Sequence, residues 1–171
     1  MAAHPLVAQL RFTRSEFVRA LDGVSEADAI RRVAPLNSLG WMVGHLANQE
    51  HGYWVRLAQH RDLAPGLHAL VGTGRPASTP LLEEMWAAWR TITAAADAYL
   101  ETLGQGDMQT FLLRHDGTPV AEGVGTLLLR NTYHYWFHTG EASAVRQLLG
   151  HEALPEFVGD MTAAAYRPEA G

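Results

Sequence analysis

The chain has no cysteine and no lysine among its 171 residues. The first absence rules out disulfides, a thiolate nucleophile and cysteine-based zinc sites, so any thiol chemistry must use a thiol brought in from outside. The second leaves Arg as the source of all 13 cations, against 18 acidic residues and a net charge of -5. No basic run exceeds the pair Arg31-Arg32. That balance speaks against a nucleic-acid partner, whose footprint is a basic patch. Charge is sparse at 18%, and no stretch approaches the ~20 consecutive apolar residues of a membrane span. Near the N-terminus, Arg11, Arg14 and Glu16 interrupt the apolar core that an export signal needs. The expectation is a cytoplasmic protein without membrane partners. Its length suits one domain over 1–171 with a full hydrophobic core.

What the chain does have is helical pattern. A first helix is expected from Pro5 to about Leu21, ended by Gly23, then a short one capped by Ser25. Asn37 or Ser38 caps a second long helix over about 38–60, followed by a Gly- and Pro-rich loop over 61–78 suited to shaping an entrance. Thr79-Pro80 reads as the start of a third long helix reaching about Leu103. Asp116-Gly117 between two short apolar runs signals a hairpin near 110–120. The fourth long helix is expected over about 123–149. Apolar nearly all round, it should be the most buried of the set. Four long helices with two long connections predict an all-α four-helix bundle with at most a short hairpin.

Three histidines lie in apolar helical surroundings: His45 in GWMVGHLANQE, and His134 and His138 in NTYHYWFHTGEA. Residues four apart share a helix face, so His134 and His138 point the same way. Imidazoles in an apolar helix are costly unless their nitrogens find partners. A backbone carbonyl can supply one, and so can a divalent metal completed by His45 from the second helix. On the fourth helix Asn131, His134, His138 and Glu141 fall within a sector of roughly 80° at ~100° per residue. Asn131, Glu141 and Asn48 are therefore candidates to hold the free ring N–H groups. Three nitrogen ligands leave a position open for water or substrate, the arrangement of catalytic rather than structural sites. Zinc or nickel is the expected ion.

Other residues carry weaker readings. His51 lies roughly 120° from the His45 face, which puts it at the surface or toward a substrate. Glu50 reads as an exposed helix charge, with a base near the metal as the alternative. Gly140, inside a helix at a cost of roughly 1 kcal/mol against Ala, implies close packing or room beside the site. The remaining tryptophans can line a pocket or fill the core.

The segments SLGWMVGHLANQEHGYW (38–54) and HYWFHTGEASAVRQLLGH (134–151) resemble the DinB-like superfamily, also called DinB/YfiT-like metalloenzymes. Trp41 with His45-Leu46 matches its W-x-x-x-H-L ligand context, and His134 with His138 matches its H-x-x-x-H pair. TPLLEEMWAAWR (79–90) is similar to its third-helix opening. Ala142 stands where a larger residue is common. The resemblance implies an up-down-down-up bundle and a metal held by His45, His134 and His138. It also implies a reaction on a small-molecule substrate using water or a low-molecular-weight thiol, since relatives include thiol-dependent S-transferases and an isomerase. Hydrolysis, S-transfer and isomerisation all remain open. So does a non-catalytic metal- or ligand-binding bundle, acting as a homodimer.

Overall fold

The structure is a computed structural model that describes residues 3–166. Helix α1 spans Pro5–Ala20 and α2 Glu26–Ala29; Ser25 Oγ caps α2 by accepting the Asp28 N–H. Helix α3 spans Leu39–Glu50 and passes directly into a π-helical segment, His51–Leu57. Helix α4 is Leu67–Val71, α5 Leu82–Leu100 and α6 Val124–Leu148. Strands β1 (Phe111–Leu113) and β2 (Pro119–Gly123) form an antiparallel hairpin. Its turn carries Gly117 at φ 79°, a left-handed conformation that glycine adopts without strain. Among the described residues no helix is long and apolar enough to cross a membrane.

The contacts fix the direction of each long helix. Phe12 meets Trp136 and Arg146 donates to the Ala20 carbonyl, so α1 and α6 run parallel. Arg11 reaches Glu101 while Phe17 meets Trp86, so α5 runs against α1. Asn37 donates to Glu141 and Trp54 to Asn131, so α3 runs against α6. The result is the up-down-down-up bundle. Its centre is filled by Leu10, Phe17, Met42, Leu46, Ile92 and Leu128, all fully buried.

Three elements depart from the sequence reading. The second long helix, expected over about 38–60, widens into i→i+5 bonding over its last turns, a local change often associated with functional sites. The third begins at Leu82 rather than at Thr79-Pro80. Its cap comes from outside the local sequence, because the Glu26 carboxylate accepts the N–H groups of Leu82 and Glu83. The fourth is not buried all round. Its outer face leaves Tyr133, Phe137 and Leu148 exposed, and the most enclosed helix is α3, buried without a break from Leu39 to Ala47. Gly40 explains that enclosure: a Cβ there would stand 2.5 Å from the Pro80 carbonyl oxygen, so only glycine lets the chain before α5 come this close. Gly140 faces open space instead, so neither close packing nor the metal accounts for it.

Candidate metal centre

His45 comes from the middle of α3, and His134 and His138 from successive turns of α6. Antiparallel packing of these two helices brings one ligand nitrogen from each ring to within 4.8 Å of the others. The ring centroids are 4.7–5.2 Å apart. Trp41, one turn before His45, stacks on its imidazole with centroids at 4.2 Å and planes 15° apart, and presents an edge to His138. The spacing that puts Trp41 and His45 on one face thus also fixes the orientation of the ring.

Two of the rings have their tautomers set. His45 Nδ1 lies 2.7 Å from the Val71 carbonyl oxygen, which can only accept, so Nδ1 carries the hydrogen. His138 Nδ1 lies 2.7 Å from Glu141 Oε2 and donates to it in the same way. With Nδ1 bonded away, Nε2 is the nitrogen of each ring available as a ligand. Glu141 is held in turn by Asn37, whose backbone and side-chain N–H groups both donate to Oε1 at 3.1 Å. Burial works against the Glu141 charge, but the bonds from His138 and Asn37 outweigh it and keep its pKa below the usual carboxylate value.

His134 is the uncommitted ring. Its Nε2 sits 3.0 Å from His138 Nε2, and its Nδ1 is buried without a hydrogen-bond partner. Unlike His45 and His138, this ring has no protein group holding its Nδ1, so nothing but its neighbours fixes its tautomer. Nitrogens ~2.0–2.1 Å from a common zinc-like ion, at angles from 90° to tetrahedral, lie about 2.9–3.4 Å apart. The observed pair falls in that interval. The three-nitrogen donor set and the His134–His138 spacing therefore fit a divalent cation, with the His45 nitrogen within 4.8 Å of the other two.

Electrostatics point the same way. Burial, and then the neighbouring imidazoles, push His134 down from its ordinary 6.5 to about 3. Burial also lowers His45, against the opposing pull of its Val71 bond. Both rings are thus held neutral and ready to ligate. The metal-free protein should therefore lose stability as pH falls below about 6.5, because the unfolded chain then binds protons that the folded rings refuse. The His134 share of this loss continues down to about pH 3. Urea unfolding of metal-free protein between pH 7 and 4 should show the decline. A His134→Ala variant with the same pH slope would contradict it.

The other expected partners stand elsewhere. Asn131 is buried, but its amide accepts from Trp54 Nε1 at 2.7 Å and donates to Gln49 Oε1 at 2.8 Å, so it ties α3 to α6 and leaves the imidazoles alone. Asn48 approaches His68 Nδ1 at 3.4 Å at the mouth of the site. His51 is buried rather than surface-facing, because the returning loop covers it and Leu63 N–H donates to its Nε2 at 3.0 Å. Glu50 is fully buried in an ion pair with Arg14. Sequence reasoning did not find the Val71 carbonyl, which α4 presents to His45 from within the loop. Nor did it find Asn37 as the brace of Glu141, 104 residues away.

Beside the rings of His45 and His134 lies a cleft of about 230 Å³, which they line together with Asn48, Gln49, Arg56 and His68. Its wall is polar, and the π-helical segment and α4 close two of its sides.

A family model described as mycothiol-S-transferase matches residues 5–150. No curated protein matches the chain. With most of the chain covered, from the start of α1 past the end of α6, it belongs to the mycothiol-S-transferase family, within the DinB/YfiT-like metalloenzyme superfamily.

Proposed function

We propose that the protein is a metal-dependent thiol S-transferase, with His45, His134 and His138 as the metal ligands. The observation that carries this reading is the convergence of three imidazoles from two helices, two of them with Nδ1 bonded to the protein so that Nε2 is the nitrogen left to ligate. A divalent cation held there would lower the pKa of a thiol co-substrate toward neutrality and so make the thiolate available as a nucleophile. The chain itself contains no cysteine, which is consistent with a thiol that arrives as a small molecule. Zinc and nickel suit the all-nitrogen donor set equally, and affinity order does not choose between them.

The protein's own groups do the orienting. Val71 O and Glu141 keep the Nδ1 hydrogens of His45 and His138 in place. Trp41 holds the His45 plane and shields it from water on one side. Asn48, Gln49 and His68 offer donors and acceptors to the polar groups of a thiol co-substrate entering the cleft.

The test is a transfer assay with purified protein of known metal content, given mycothiol and an electrophile. Turnover should track bound zinc or nickel and vanish on chelation. Stoichiometric metal without thiol-dependent turnover would leave a binding protein and reject the transferase reading.

A further inference from the structure

The outer face of α6 carries a second concavity that meets the metal centre at His134. It measures about 530 Å³ and is lined by Leu129, Tyr133, Phe137, Arg130, Gln49 and His134. Leu129, Tyr133 and Phe137 recur every fourth residue and so form one ridge. They are 36%, 62% and 68% exposed, unusual for large apolar side chains grouped beside a polar site. Gln49 and His134 belong both to this trough and to the polar cleft, so the two spaces are neighbours across the His134 ring.

Charge narrows what the trough can hold. The cation on its wall, Arg130, is already paired through two nitrogens with the Glu122 carboxylate, one of them at 2.7 Å. The neutralised pair offers no strong site for a carboxylate or phosphate. Size narrows it further. The exposed parts of the three side chains amount to on the order of 300–400 Å², well short of the ~800 Å² per partner of a standard protein interface. A volume of about 530 Å³ lies within the usual range for small-molecule sites.

We propose that this trough is the electrophile subsite of the transferase, and that it takes an uncharged, flat, apolar compound such as a substituted arene. The inference rests on the S-transferase reading above. The ring of the electrophile lies on Tyr133 and Phe137 with its reacting carbon toward His134, while the thiol occupies the polar cleft. For a chloroarene, the thiol first gives its proton to solvent. The thiolate sulfur then forms the S–C bond as the C–Cl bond breaks, and chloride leaves with the bonding pair. Leu129, Tyr133 and Phe137 are specificity-determining residues in this arrangement.

The subsite can be tested apart from turnover. Binding of 2,4-dinitrotoluene, an arene without a leaving group, is measured by equilibrium dialysis on metal-loaded protein. Phe137→Ala and Tyr133→Ala should each weaken binding by about tenfold. Leu148→Ala, equally exposed on the far end of α6, should leave it unchanged. Metal content and circular dichroism of the variants establish that folding and the metal centre are intact. Unchanged affinity in both aromatic variants would overturn the subsite. So would a wild-type dimer in sedimentation that Phe137→Arg splits, since the face would then be a self-association surface. Phe137-dependent arene binding in a protein that shows no thiol transfer would uphold the trough and reject the transferase reading.

Discussion

Replacing His134 with alanine is expected to abolish stoichiometric metal binding while leaving the bundle folded. In the proposed centre His134 supplies one of three ligands, so its loss should exceed the ~10–100-fold drop in affinity typical when a group behind a ligand is removed. That smaller drop is the expectation for Glu141→Ala, which frees the His138 ring without deleting a ligand. Stability should move little, or rise, in the metal-free His134→Ala protein. The substitution removes a buried nitrogen that has no partner and a second imidazole 3.0 Å from His138 Nε2. A residue kept for packing would give the opposite signature, a loss of stability with metal affinity intact. Calorimetric titration with zinc and nickel, paired with urea unfolding of the metal-free proteins, separates the two outcomes.

The second large effect is expected inside the bundle, at Arg14. This guanidinium is buried among Glu50, Asp97 and Tyr135 in the middle of the bundle. Its Nε donates to Glu50 Oε1 at 2.8 Å and its Nη1 to Asp97 Oδ1 at 2.8 Å, with a further contact from Nη2 to Glu50 Oε2. Tyr135 donates to Glu50 Oε1 at 2.6 Å and accepts from Trp89 at 2.7 Å. Burial works against the Arg14 charge, but Glu50, Tyr135 and Asp97 more than offset it and hold the pKa above the ordinary guanidinium value. The network joins α1, α3, α5 and α6. Arg14→Ala strands a fully buried carboxylate, a change that costs about 3–5 kcal/mol. For a domain of this length the melting temperature should fall on the order of 10 °C. Arg14→Met combined with Glu50→Gln should recover much of that loss, because it removes both charges together. If the two substitutions instead add their losses in full, the pair is not coupled as described.

The two sites differ in how far they could be read in advance. The histidine cluster was legible because each of its members lies in its own local pattern: a four-residue spacing within α6, and a tryptophan four residues before His45 in α3. The bundle followed from helix count and loop length, and its helix directions from the family resemblance. The braces were not legible, since Asn37–Glu141, Glu26–α5 and Val71–His45 are set by tertiary contact alone. Glu50 shows the limit most clearly. One acid on a helix looks the same in sequence whether it meets water or a buried arginine 36 residues earlier. The outer face of α6 misled in the other direction. Apolar periodicity all round a helix implies burial, yet Tyr133 and Phe137 meet solvent beside the metal centre. An exception of that kind is what a binding surface produces.

The account stands on three imidazoles sharing one cation. Anomalous diffraction at the zinc and nickel edges, from crystals of the metal-loaded protein, tests this most directly. The account predicts one peak per chain, ~2.0–2.1 Å from a nitrogen of each of His45, His134 and His138. A peak held by other residues, or none at these rings in protein that contains stoichiometric metal, would contradict it.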